Sequence, residues 1–213
     1  MDTADWDERY AAAAPWGKQP NRWVRQHTQD LPPGRALDLA SGDGRHALWL
    51  AARGWQVEAV DFSREALARG RAEASSLPTS SPDGRPVGTV RWTAADLTTH
   101  TPAPASVDLV VVAYLHLPEP ALRSVLGRAA DALAPGGTIV VVGHDERNLA
   151  EGVGGPQDPA VLTDPDRVVA ALSTAGLDVT LAQVADRPVE GATRPALDTV
   201  VVATAPGPRS RVE

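Results

Sequence analysis

ALDLASGDGRH, residues 36–46, decides the fold: a short apolar strand enters a tight glycine turn, and the turn opens a helix. Glycines at 42 and 44 let the backbone approach a ligand closely. The amides that begin the helix face the same crevice. Set against the dinucleotide pattern G-x-G-x-x-G, the turn reads A-S-G-D-G-R, with Ala40 at the first glycine position and Arg45 at the third. Such turns recur in many doubly wound proteins, so this one alone selects no ligand.

Outward from the turn, β-branched apolar runs alternate with Ala- and Leu-rich amphipathic segments, the pattern of βαβ units. Strands are predicted at Arg35–Ala40, Gln56–Asp61, Gly88–Thr93, Val107–Ala113 and Gly137–Gly143. The last two are continuous apolar runs, as central strands buried on both faces require. Asp178–Ala185 and Asp198–Thr204 leave no room for a helix between them and are expected to form an antiparallel hairpin. Helices are predicted at Gly44–Arg53, Arg64–Ala74 with Ser63 as N-cap, Glu119–Leu133 and Pro165–Ala175, with a further one at Gln19–Gln29. The expected fold class is α/β: a doubly wound, Rossmann-like, mostly parallel seven-stranded sheet closed by a C-terminal antiparallel hairpin. It divides as an N-terminal helical and aromatic segment (1–34), a main domain (35–204) and a disordered tail (205–213). Ser75–Pro86 and Arg147–Pro159 read as loops, and the second follows a central strand, where loops often carry function.

The 213 residues suit one α/β domain. No cysteine is present, which excludes disulfides, thiolate metal sites and a cysteine nucleophile. The opening MDTADWDERY is acidic and polar, unlike a signal peptide, and no apolar run of about 18 residues occurs, so a cytoplasmic protein with no membrane partner is expected. A net charge of −7 disfavours nucleic acid as a partner.

Three carboxylates surround the turn. Asp38 lies inside the first strand, Asp61 closes the second, where carboxylates of ribose-binding α/β sites sit, and Asp96 follows the third. Together they suit a ligand bearing an ammonium, a sulfonium, a ribose and an adenine amine, and would repel a pyrophosphate. Asp61 is favoured as functional over a plain strand-end acid because Asp38 and the turn stand at matching spacing.

Residues 36–62, ALDLASGDGRHALWLAARGWQVEAVDF, resemble the cofactor-binding region of class I S-adenosylmethionine (SAM)-dependent methyltransferases. AADL at 94–97 resembles the family's adenine-contacting motif, and LAPGGTIVVVG at 133–143 its approach to the fifth strand. The lead-in DWDERY and PWGKQPNRWV is similar to small tellurite-resistance and thiopurine-like methyltransferases. The resemblance implies SAM as cofactor. Asp38 would hold the methionine ammonium, with Ala40, Gly42 and Gly44 passing beneath the methionine moiety. Asp61 would grip the ribose, Phe62 would stack on the adenine, and Asp96 and the Leu97 amide would receive its polar edge. Ala113 and Tyr114 would line the methyl side.

His116 and His144 each follow a predicted central strand, at the edge where open α/β sheets bind ligands. Either could take a proton from an acceptor, or be an ordinary hydrogen-bonded histidine. His144-Asp145 lacks further ligands at suitable spacing, so no metal is expected. An acceptor pocket is expected from Tyr10, Trp16, His116, His144, Asp145 and Asn148. The aromatics of the lead-in would form a water-excluding lid, or pack a helix on the sheet. The acceptor is expected to be a small molecule, through a thiol, chalcogen, oxygen or nitrogen nucleophile, and the protein a monomer or homodimer. Two rivals stand beside this reading. An NAD-dependent oxidoreductase would need a third glycine at Arg45 and a Tyr-x-x-x-Lys pair, which Lys18 as sole lysine excludes. A SAM-binding protein without methyl transfer would carry identical motifs.

Overall fold

The computed structural model describes residues 17–77, 79–80, 84 and 86–207. Seven strands form one sheet in the order β3-β2-β1-β4-β5-β7-β6. They are β1 (Arg35–Leu39), β2 (Gln56–Asp61), β3 (Val90–Ala94), β4 (Val107–Ala113), β5 (Leu133–His144), β6 (Asp178–Arg187) and β7 (Ala196–Thr204). The helices are α1 (Arg22–Thr28), α2 (Arg45–Ala51), α3 (Arg64–Ala74), α4 (Glu119–Asp131), α5 (Asn148–Glu151) and α6 (Pro165–Thr174). This is the expected Rossmann-like architecture with its reversed C-terminal strand. Two compact units divide the chain, one reaching to Thr101 with Leu109–Val111, the other built on Pro102–Asp108 and the chain from Val112 onward.

In the first unit, β1 and β2 run parallel with Leu39 beside Val60, and β2 and β3 run parallel with Asp61 beside Ala94. All three strands therefore end together, which delivers residues 40–44, 61–63 and 95–97 to one edge. Apolar side chains on both faces of β1 and β2 are buried, among them Leu37, Leu39, Val57 and Val60, as a strand covered by helices on both sides demands. Helix α1 starts later than the sequence implies because Asn21 caps it, its carboxamide oxygen accepting from the Trp23 and Val24 amides. Ser63 caps α3 as expected, accepting from Ala66 N.

In the second unit, β7 lies antiparallel between β5 and β6. The register sets His144 opposite Asp198, and Asp198 opposite Ala185. Asp164 caps α6 through the Arg167 amide. The expected loop 147–159 contains the helical turn α5, which sequence pattern missed because four residues are too few to show a period. Ala205, the first residue of the expected tail, is paired: its amide donates to Gly137 O and its carbonyl accepts from Gly136 N. The expected contacts of Tyr10 and Trp16 lie outside the described residues, as do Trp6 and 208–213.

Candidate cofactor and acceptor sites

The turn after β1 is pinned on both flanks. The Gly42 amide donates to Asp61 Oδ2 at 2.8 Å, while Asp61 Oδ1 accepts from Ser63 N at 2.9 Å. Burial pushes the Asp61 carboxyl above its usual range, and the amide bonds from Ser63 and Gly42 work against that rise. Each carboxylate oxygen has a second lone pair, so these bonds leave Asp61 able to accept from a diol. Ala40 occupies the left-handed region at φ 59, where Cβ crowds the following carbonyl. The departure from glycine at this position thus strains the backbone itself, in addition to placing a methyl group near the turn.

Asp38 is fully buried. Its Oδ2 accepts from Ala47 N at 3.1 Å, closing the first turn of α2, which has no side-chain cap of its own. Its Oδ1 has no hydrogen-bond partner among the described residues and lies 3.8 Å from Nδ1 of buried His46. Buried Ser41 Oγ is likewise without one. A buried carboxylate oxygen left without a donor is costly, and such groups mark places that a ligand or ion completes. The donor set fits an ammonium group at Asp38, so the residues present are compatible with the methionine end of SAM.

The other members of the expected site emerge at the same strand ends. Phe62 is 37% exposed, an unusual position for a large apolar ring unless something covers it. Asp96 is exposed, and its Oδ1 accepts from both N and Oγ1 of Thr98 at 2.8 Å, which shapes the turn that buries Leu97.

The second unit holds a separate polar cluster. Asp198, wholly buried in β7, accepts from the Tyr114 hydroxyl at 2.9 Å and from Arg187 Nε at 2.8 Å. Tyr114 follows buried Ala113 at the end of β4 and has φ 57, a left-handed conformation that a tyrosine adopts only when its surroundings enforce it. Those surroundings are its amide bond to Val142 O at 2.7 Å and its hydroxyl bond to Asp198. The Tyr114 and His144 rings are 4.7 Å apart between centroids, and His116 lies 5.7 Å from His144 in stacked orientation. Desolvation, aided by the Arg187 charge, holds the His144 imidazole down to about 4.

Asp145 and Asn148 are both buried. Asp145 Oδ1 accepts from N and Nε of Arg147, and Oδ2 from Thr199 Oγ1. Asn148 Oδ1 accepts from Leu197 N at 2.7 Å, and its Nδ2 donates to Gly154 O at 2.8 Å. Both residues tie the 147–159 segment to β7. Gly155 brings that segment onto His144, since a Cβ there would lie 3.0 Å from Nδ1. Sequence reasoning passed over Arg187 and Asp198; the available signal was an acid opening the apolar run DTVVVAT.

Comparison with known proteins accords with this geometry. Residues 36–137 match the family model of a methyltransferase domain. Over 119 residues the chain is 31% identical to ribosomal RNA small subunit methyltransferase C of Alcanivorax borkumensis, covering 54% of this chain and 33% of that one. Over 118 residues it is 34% identical to an uncharacterized methyltransferase of Mycobacterium tuberculosis, covering 55% and 54%. The chain thus spans about a third to about half the length of these relatives. The N-methyltransferase NodS of Bradyrhizobium japonicum, solved with S-adenosyl-L-homocysteine (SAH), superposes with TM-score 0.70 at 18% identity, covering 97% of this chain and 100% of that one. Residues 36–137 are thus similar to a methyltransferase domain, and the sheet has the fold of NodS.

Proposed function

We propose that this protein transfers the methyl group of SAM to a small-molecule acceptor that presents a hydrogen-bearing nitrogen or oxygen. The observation that carries SAM binding is Asp38: a fully buried carboxylate with one oxygen lacking a donor, beside a glycine turn held by Asp61. Asp38 receives the methionine ammonium, Ala40, Gly42 and Gly44 lie under the methionine moiety, and Asp61 takes the ribose diol. Phe62 covers the adenine, with Asp96 and Leu97 at its polar edge. When bound, SAM would supply a sulfonium methyl for in-line transfer, with SAH as the leaving group and the acceptor's proton lost to solvent. The chain's residues then contribute chiefly proximity and orientation.

Tyr114 supports the acceptor class. Its partner Asp198 is a carboxylate linked to Arg187, so the phenol must be the donor in that bond. The phenolic oxygen also hydrogen-bonds Arg187, so an acceptor beside it would meet a polar Tyr–Arg–Asp group. That polar surround suits an amine or hydroxyl better than a soft thiolate. His144, held at about 4, is neutral near pH 7 and a weak base, so it serves as a neutral wall of the pocket, stacked with His116. The net charge of −7 supports a small molecule over an RNA, whose phosphate backbone favours a net basic surface.

The test has two stages. Calorimetry with SAM, SAH and NAD is expected to give binding for the first two; NAD binding with SAM silent refutes the cofactor assignment. Methyl-labelled SAM is then offered with amines, phenols, thiols and RNA. Label on an amine or hydroxyl, lost in Tyr114→Phe, supports the acceptor class, whereas label on thiols alone that persists in Tyr114→Phe overturns it. Tight SAM binding with no label on any acceptor makes the protein a SAM-binding protein without methyl transfer.

A further inference from the structure

Glycine 44 opens α2 at φ 79, and the space left by its missing side chain is taken by an indole. A Cβ there would fall 2.5 Å from Cζ3 of Trp92, and nearer still to Cη2. Gly70 in the middle of α3 meets the same two atoms, with a Cβ again 2.5 Å from Cζ3 and also 2.5 Å from the Asp43 carbonyl oxygen. Glycine inside a helix costs about 1 kcal/mol relative to alanine, so Gly70 is unfavourable unless the room is needed. The far edge of one indole therefore lies against two backbones, those of Gly44 and Gly70, and α3 in turn presses on the turn at Asp43.

The indole has a fixed base. Trp92 pairs with Ala59 of β2 in the parallel register, and its neighbours Arg91 and Thr93 both bind the Glu58 carboxylate, Thr93 Oγ1 at 2.8 Å. The turn is consequently held from one flank by Asp61 on Gly42 and from the other by Trp92 and α3 on Asp43 and Gly44.

We infer that Trp92 is a positioning residue for the cofactor turn: its indole edge, lodged between Gly44 and Gly70, sets where residues 42–44 lie beneath the methionine part of SAM. This rests on the SAM-binding reading above, and the two fail in different ways. A wild-type protein that does not bind SAH removes that reading; wild-type binding with unaffected variants removes this one.

Two variants approach the wedge from opposite sides. Trp92→Phe keeps an aromatic ring but lacks the edge that reaches the glycines. Gly70→Ala improves helix propensity yet drives a methyl group into the indole and the Asp43 carbonyl. Arg71→Ala, on the exposed face of the same helix, is the control. Affinities for SAH and for 5′-methylthioadenosine, which lacks the amino-acid end, are measured by calorimetry on protein shown to be folded by its thermal transition. Both variants are expected to weaken SAH about tenfold, since sites need their groups held within about 0.5 Å, while methylthioadenosine changes less than about threefold. Arg71→Ala leaves both unchanged. If either folded variant binds SAH like the wild type, or loses both ligands in equal proportion, Trp92 is core packing and the inference fails. A variant that does not fold leaves the decision to the other.

Discussion

Replacing His144 by glutamine isolates one buried titration. His144 is 9% exposed, and its proton affinity falls from the ordinary 6.5 to about 4, mainly through burial and further through Arg187. Asp198 does not offset this: at 3.8 Å from Nδ1 it is beyond hydrogen-bond reach, and Arg187 already neutralises it. As pH drops below about 6.5 the unfolded chain takes up a proton that the folded protein refuses until about 4. Stability from this group is therefore intact above the unfolded value and lost through that window. Each tenfold change in proton affinity is worth about 1.4 kcal/mol, so the loss reaches about 3 kcal/mol at the lower end. Asp61, pushed up by burial, acts with the opposite sign but is common to both proteins and cancels. Urea unfolding of wild type and His144→Gln from about pH 7 to about pH 4 is expected to show the stability difference moving by about 3 kcal/mol in favour of the variant. A difference that stays constant across the range refutes the assignment of a neutral, buried His144.

Asp198→Ala strips Tyr114 and Arg187 of their shared carboxylate and is expected to cost about 3–5 kcal/mol in denaturant unfolding. Adding Arg187→Met recovers part of that loss if the uncompensated guanidinium is its main source. Ala40→Gly relieves the left-handed strain of about 1–2 kcal/mol, less about 0.4–1 kcal/mol of added unfolded-chain freedom. A rise in thermal midpoint is therefore expected, and a fall contradicts the strain. Asp38→Asn removes the charge that meets the ammonium and should weaken SAH by about tenfold to a hundredfold by calorimetry; unchanged affinity places the ammonium elsewhere.

How far the sequence could be read depended on the range over which its signals act. The strand, turn and helix of residues 35–53 are local, so period and glycine spacing reveal them; Asp38 stands out as an acid inside an apolar strand and Asp61 as an acid closing one. Asp198 was hidden for the converse reason: its partners Tyr114 and Arg187 stand 84 and 11 residues away, and they meet it only once β7 pairs with β5 and with β6. Asp145 and Asn148 have the right residue types in the right segment, but which way they turn is decided by Thr199 and Leu197, far along the chain. Gly44 illustrates a subtler limit. A glycine needed for ligand approach and a glycine needed to admit an indole look alike in sequence, and only the position of Trp92 tells them apart.

The placement of β7 has a consequence for how the protein is made. It follows every other strand of the sheet in chain order yet pairs with both β5 and β6. During synthesis β5 and β6 must wait, edges open, until the residues between them finish the sheet, and pairings of this non-local kind form slowly. The carboxylate that steadies Tyr114 arrives on that last strand. The nascent chain thus has its glycine turn early and the tyrosine's anchor last, so the Tyr114–Asp198–Arg187 cluster is assembled only in the closing step of folding.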